Sequence, residues 1–218
     1  MERKRIDDNH MTKNGKRAPT GAALMQARVT DSLTRALFVE WAERGFAALS
    51  LEAVAKRAGV GKAALYRRWP SKLAMISDRL DAVGIEITDI PDQGSLTRDI
   101  RAALLDIRKL LRHPLIHRIL PDLHAELARS PDLREVIRPI QAARRARAER
   151  IIHQAIARGE LPENVHLELA SDVLAAPLYW RIIVIGGRAD LAYIDALTVG
   201  IVAMLKTSPP PNPLLGPE

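Results

Sequence analysis

Ser50-Leu51-Glu52-Ala53-Val54-Ala55-Lys56-Arg57-Ala58-Gly59-Val60-Gly61-Lys62-Ala63-Ala64-Leu65-Tyr66-Arg67-Arg68-Trp69-Pro70 decides the fold of the first third of this chain. Ser50 is a good helix N-cap, Leu51, Val54, Ala55 and Ala58 share one face at helical spacing, and Gly59 is a natural stop. A second, very short helix is expected over Lys62 to Trp69, closed by Pro70. Only Gly59-Val60-Gly61 separates the two, which forces a sharp turn and the geometry of a helix-turn-helix. Leu65 and Trp69 are four apart and turn inward together, leaving Lys62, Ala63, Tyr66, Arg67 and Arg68 outside. A short helix that exposes cations and a tyrosine hydroxyl suits phosphate and base-edge contacts in a major groove. A catalytic helix would need a nucleophile or an acid-base pair, and none is present.

Working outward, a helix is expected from Thr30 as N-cap, through Leu33, Ala36, Leu37 and Trp41, to Gly45. On the other side a fourth helix starts near Ser71 and carries Leu73, Ile76, Leu80 and Val83 to Gly84. Trp41 and Trp69 read as core residues. Beyond Pro91 and Gly94 the helices lengthen, with Ser95 to Leu111, His113 to Arg129 after a break near Pro114, and a new start at Ser130-Pro131 that should break or kink at Pro139 and end at Gly159. Two strongly apolar helices follow, His166 to Ile185 with a kink at Pro177, and Asp190 to Leu205. The fold class is therefore all-α: a three-helix helix-turn-helix bundle followed by a larger helical ligand-binding and dimerisation domain. The divisions expected are a flexible basic arm at 1–29, a DNA-binding domain at 30–84 with its motif at 50–69, a regulatory and dimerisation domain at 85–207, and a proline-rich tail at 208–218.

Charge follows the same division. Residues 1–80 hold 16 Lys and Arg against 8 Asp and Glu, whereas residues 81–218 hold 17 against 18, so the excess of the net +7 sits entirely in the first third. A basic segment on a neutral body is what a polyanion-binding module requires, because phosphate neutralisation releases counterions. A hydrophobic fraction of 47% provides for a packed core, and the absence of cysteine excludes disulfides, thiolate nucleophiles and cysteine zinc sites. No segment approaches the roughly 20 apolar residues that span a bilayer, so a cytoplasmic protein without a membrane partner is expected. There is no phosphate-cradling glycine loop, nucleophile elbow or paired-carboxylate setting, which argues against an enzyme and against a bound cofactor. The competing reading is a helical scaffold whose basic region serves another acidic partner.

Ala42-Glu43-Arg44-Gly45-Phe46, Leu51-Glu52-Ala53-Val54-Ala55, Ala58-Gly59-Val60 and Leu65-Tyr66-Arg67-Arg68-Trp69-Pro70-Ser71-Lys72, in this order and spacing, resemble the N-terminal domain of TetR-type regulators over residues 30–80. The resemblance implies that Lys62, Tyr66, Arg67 and Arg68 contact DNA, Tyr66 and Arg68 on phosphates and Lys62 and Arg67 within reach of bases. It adds Lys72 and Ser50 on further phosphates, and puts Ala63 and Ala64 on the recognition face. Gly61 stands where such proteins often have a capping Ser or Thr, and Ala64 where they often have a hydroxyl, so Ala64 is left to touch a thymine methyl. The mechanism implied is repression by a homodimer that holds a palindromic operator of double-stranded DNA until an unidentified small-molecule effector enters each C-terminal domain.

Other clusters carry weaker signals. Val173, Leu174, Leu178, Ile182 and Ile185, then Leu191, Ile194, Leu197, Ile201 and Met204, form two apolar stripes whose surplus is expected to make a dimer interface through the two C-terminal helices. Tyr179, Trp180 and Arg181 follow a kinking proline and either line a ligand pocket or pack that interface. Arg144, Arg145, Arg147 and Arg150 read as a solvated helix face. His113, His117 and His124 have spacings of four and seven, but Pro114 interrupts the helix they would share, and no metal site is assigned.

Overall fold

The computed structural model describes residues 21–84 and 91–207, and the expected tail and the part of the arm before residue 21 lie outside them. Helix α1 (Gly21–Ala48) begins well before the expected cap at Thr30. Its first turns, Gly-Ala-Ala-Leu-Met-Gln-Ala-Arg, contain strong helix formers without an apolar stripe, so propensity extends the helix where periodicity gave no signal. Thr30 consequently lies inside the helix, its hydroxyl donating to the Gln26 carbonyl at 2.9 Å. Gly45 breaks the helix, and one further helical turn follows it to Ala48: this residue takes φ 76°, a left-handed value, and a Cβ there would stand 2.8 Å from Asp122 Oδ1. Ser50 caps α2 (Leu51–Ala58) by accepting the Ala53 amide at 3.2 Å, and Gly59 ends it in the left-handed conformation. α3 (Lys62–Tyr66) is shorter than expected because the residue preceding Pro70 is kept out of the helical region and the chain turns at Arg67 and Arg68. α4 (Lys72–Gly84) follows, and the buried side chains of Leu33, Leu37, Trp41, Val54, Leu65 and Met75 form the core of this bundle.

The larger half consists of α5 (Leu96–Leu111), α6 (Pro114–Leu127), α7 (Pro131–Ala157), α8 (Leu167–Tyr179), a π-helical turn (Trp180–Val184) and α9 (Leu191–Thr207). Ser95 and Ser130 cap their helices through side-chain oxygens. The break expected at Pro139 does not occur: Pro139 and Glu135 are both exposed, so water can take the carbonyl that proline leaves without a donor. The distortion expected at Pro177 falls just after it, where α8 widens into the π turn. α5 packs on α8 and α9, and α7 packs on α4 and α8. Arg158 ties the end of α7 to the start of α5, holding Asp92, Asp99 and Glu160 each at 2.7 Å, and Asp99 is buried. Hydrogen bonding to Glu160 and Asp99 raises the guanidinium pKa above its ordinary value, and Glu160 accepts the Leu96 amide at 3.0 Å.

Candidate nucleic-acid interface

α3 stands on the bundle by burying Leu65 completely, with Trp69 buried just beyond its end. Lys62, Ala63, Tyr66 and Arg67 are exposed on its outer side, Ala64 is half-buried, and Gly61 begins the helix without a side-chain cap. The Tyr66 hydroxyl donates to Glu52 Oε1 at 2.6 Å, a bond between α3 and α2. That bond lowers the Glu52 pKa and raises that of Tyr66, because the shared proton stabilises the carboxylate and is itself held. Ser50 accepts from Ala53 and keeps its own hydroxyl proton to donate.

Two residues assigned to phosphates also have contacts within the protein. Arg68 is half-buried and donates to Thr30 Oγ1 at 2.7 Å, with its guanidinium 5.9 Å from the Trp69 ring centroid. Gln26, Ala27, Thr30, Arg68 and Arg79 line an open groove between α1 and the motif. Lys72 donates to the Phe46 carbonyl at 2.7 Å, with its ammonium 4.1 Å from the Phe46 ring centroid. An ammonium has three donors, so two remain for other acceptors. Thr30 and Glu52 join the site through pairings across 38 and 14 positions, which leave no local mark in a sequence.

The backbone of Phe46 links this bundle to the larger half. Asp122 on α6 accepts the Trp41 indole N–H at 2.6 Å and the Phe46 amide at 2.9 Å, while the Phe46 carbonyl takes Lys72. In the larger half the three candidate lining residues diverge. Tyr179 Oη lies 2.7 Å from His124 Nδ1, Trp180 is 60% exposed, and Arg181 donates to the Arg188 carbonyl and covers the Tyr193 ring. His113 is the N-cap of α6 and so lies outside the helix that a shared histidine face requires. Among the described residues no group of three His, Asp or Glu side chains is placed to hold a metal ion.

A capped helix, a tight glycine turn and a short cationic helix on a small bundle, joined to a larger all-helical half, define a helix-turn-helix transcription regulator. Residues 33–78 match the bacterial regulatory proteins of the tetR family, and residues 90–199 match the tetracyclin repressor-like C-terminal domain. The chain belongs to the TetR family and is a DNA-binding transcriptional regulator of the ligand-responsive repressor kind. It is 29% identical to the DNA-binding transcriptional repressor TetR of Mycobacteroides abscessus over 74% of this chain and 85% of that protein. It is 27% identical to the HTH-type transcriptional regulator YdeS of Bacillus subtilis over 72% of this chain and 79% of the relative. The fold is shared with the solved structure of Salmonella enterica GusR at a TM-score of 0.68 and 19% identity, over 82% of this chain and 95% of that one. No helix among the described residues is long and apolar enough to cross a membrane.

Proposed function

We infer that the chain represses transcription in the cytoplasm as a homodimer, seating α3 of each protomer in successive major grooves of a palindromic operator. The exposed cationic face of α3 carries this reading. Lys62 and Arg67 reach base edges, Ala63 and Ala64 pack against the groove, and Tyr66, Arg68, Ser50 and Lys72 hold phosphates. Tyr66 leaves Glu52 for a phosphate on binding, while Arg68 and Lys72, tied to α1, fix the height of α3 over the groove. Regulators of this family act by binding, and no catalytic role is assigned. Selection of operators from random duplexes, followed by gel shift with competitor DNA, tests the reading. A symmetric consensus whose halves lie about one helical turn apart or a multiple of it is expected. Equal affinity for consensus and competitor would leave a basic scaffold instead.

The dimer surface we infer differs in membership from the two stripes. Ile194 and Ile201 are buried within the protomer, as are Leu174, Leu178 and Ile182. The apolar side chains left outside are Leu169 on α8, Trp180 and Val184 on the π turn, Ile185 just beyond it, and Leu191 and Val199 on α9. Leu169, Trp180 and Val184 share one side at helical spacing. On α9 the exposed residues between Leu191 and Ala203 include Ala192, Ala196 and Gly200, small enough for a partner helix to come close. Exposed large apolar side chains gathered on these elements are what a protein interface covers. Effector occupancy of the larger half reaches the motif through α6, whose Asp122 holds the turn at Gly45–Phe46, and a displacement of α6 retilts α1 and the recognition helices with it.

A further inference from the structure

Glu40 is a carboxylate in a place that α1 otherwise gives to apolar side chains. Leu33, Ala36, Leu37, Glu40 and Trp41 follow one another at helical spacing on the inward face, and all five are buried. Each Glu40 oxygen takes one guanidinium N–H: Oε1 accepts from Arg57 Nε at 2.6 Å and Oε2 from Arg44 Nε at 3.1 Å. One turn on, the exposed Glu43 closes on the other side of the Arg57 guanidinium, accepting from Nη2 at 2.5 Å and from Nη1 at 3.3 Å. Arg57 therefore grips two carboxylates of α1 through a planar fork, which holds only in one direction. It stands in the last turn of α2, and the carbonyl of the next residue, Ala58, accepts the Ser32 hydroxyl of α1 at 3.3 Å. Gly59 ends the helix there, and Lys62 opens α3.

Stability alone does not account for a carboxylate in this register. A buried ion pair can often be replaced by apolar side chains of similar volume without loss of stability, whereas apolar burial carries no direction of its own. What the fork adds is orientation, and the motif needs it: α2 has eight residues and α3 five, and their buried anchors Leu51, Val54, Ala55 and Leu65 are all apolar. We infer that Arg57 is a positioning residue for operator recognition. Through Glu40 and Glu43 it sets the angle of α2 on α1, and through the glycine turn it sets the angle at which α3 meets base edges. This role rests on the reading of α3 as the recognition helix. With Nε, Nη1 and Nη2 all turned to the two glutamates, Arg57 acts through α3 and not as a phosphate contact. Trp41, next in the chain to Glu40, donates to Asp122 of α6, so the turn of α1 that steers α2 is the one the larger half holds.

The test measures, on the full-length protein, affinity for the duplex that the wild type selects from random sequence and for the same duplex with its bases shuffled. In Glu40→Met/Arg57→Met the ion pair gives way to apolar side chains of similar volume. Its melting temperature should equal or exceed that of wild type, while the ratio of selected to shuffled affinity falls by about tenfold or more, the scale of one misread base pair. Arg57→Lys keeps the charge and loses the fork, so it should lower the ratio with shuffled affinity unchanged. Glu43→Gln, at an exposed position, separates steering from charge. Removing one acid should by electrostatics alone strengthen binding to both duplexes alike; with the fork opened, shuffled affinity should hold or rise and the ratio should fall. A ratio that stays at the wild-type value in Arg57→Lys and Glu43→Gln, or one that falls only together with the melting temperature, gives Arg57 a purely structural role and overturns the proposal. Failure of the operator reading looks different, since the wild type itself would then bind both duplexes equally and there would be no recognition to steer.

Discussion

Tyr66, which we propose to hold an operator phosphate, is held in the free protein by Glu52. Glu52 places a carboxylate beside the cationic face of α3, so the interface we propose breaks a 2.6 Å bond and brings phosphate towards an anion. Glu52→Gln removes the charge while keeping an acceptor, and operator affinity measured by gel shift should rise for all sequences alike. Tyr66→Phe should weaken binding equally broadly, since a phosphate contact positions the protein without reading bases. Arg67→Ala is expected to relax preference at one base pair by about 1 to 3 kcal/mol, seen when selection is repeated with the variant. A uniform loss across sequences would assign Arg67 to phosphate instead. His124 gives a prediction in pH. Its pKa is depressed in the folded protein by burial and by Arg144, so below about pH 6.5 the unfolded chain takes up a proton that the folded chain resists. The stability it supports is complete above that pH and is lost as pH falls through it. Thermal melts of His124→Gln should therefore show a shallower decline on acidification than wild type, and parallel curves would mean that other groups govern it.

At the scale of elements, the capped and glycine-stopped helices were the most legible, because Ser50, Ser95 and Ser130 cap through local geometry that a sequence writes directly. The start of α1 was not legible, since intrinsic propensity without an apolar stripe looks like an arm, and Pro139 misled because the cost of an interior proline depends on whether water reaches the freed carbonyl. Asp122 was invisible for a different reason: its partners Trp41 and Phe46 are brought to it by the packing of α1 on α6. Asp122→Ala leaves the indole and the amide without an acceptor, and the melting free energy should fall by about 1 to 3 kcal/mol for each group that stays dry. Asp122→Asn retains an acceptor and should fold, but with a looser hold on the Gly45 turn; an effector should then release less DNA per bound molecule. Effector release identical to wild type would place the coupling elsewhere. Arg158→Ala leaves Asp99 buried without its cation and is expected to cost about 3 to 5 kcal/mol in denaturant unfolding.

Across the whole molecule, the division of charge was readable before any helix was placed: a basic first third carries the DNA-binding motif, and a near-neutral remainder makes up the larger helical half. The dimer surface was only half readable. A helix apolar on several sides does not disclose which side faces its own core, and Ile194 and Ile201, the obvious stripe, turn inward to α5 while Val199, between them, is 66% exposed. This contrast makes a sharp experiment. Val199→Asp should leave circular dichroism and the protomer core intact, yet sediment as a monomer, because an aspartate in the apolar contact must be desolvated without a partner. Ile201→Asp should instead unfold the chain. Operator affinity of the Val199→Asp protein should fall by about a hundredfold or more, since two half-sites bound through one dimer gain from effective concentration and two separate protomers do not. Affinity for a single half-site should stay close to wild type. If Val199→Asp remained a dimer with full operator affinity, the exposed face of α9 would not be the interface and the symmetric operator would need another surface to explain it.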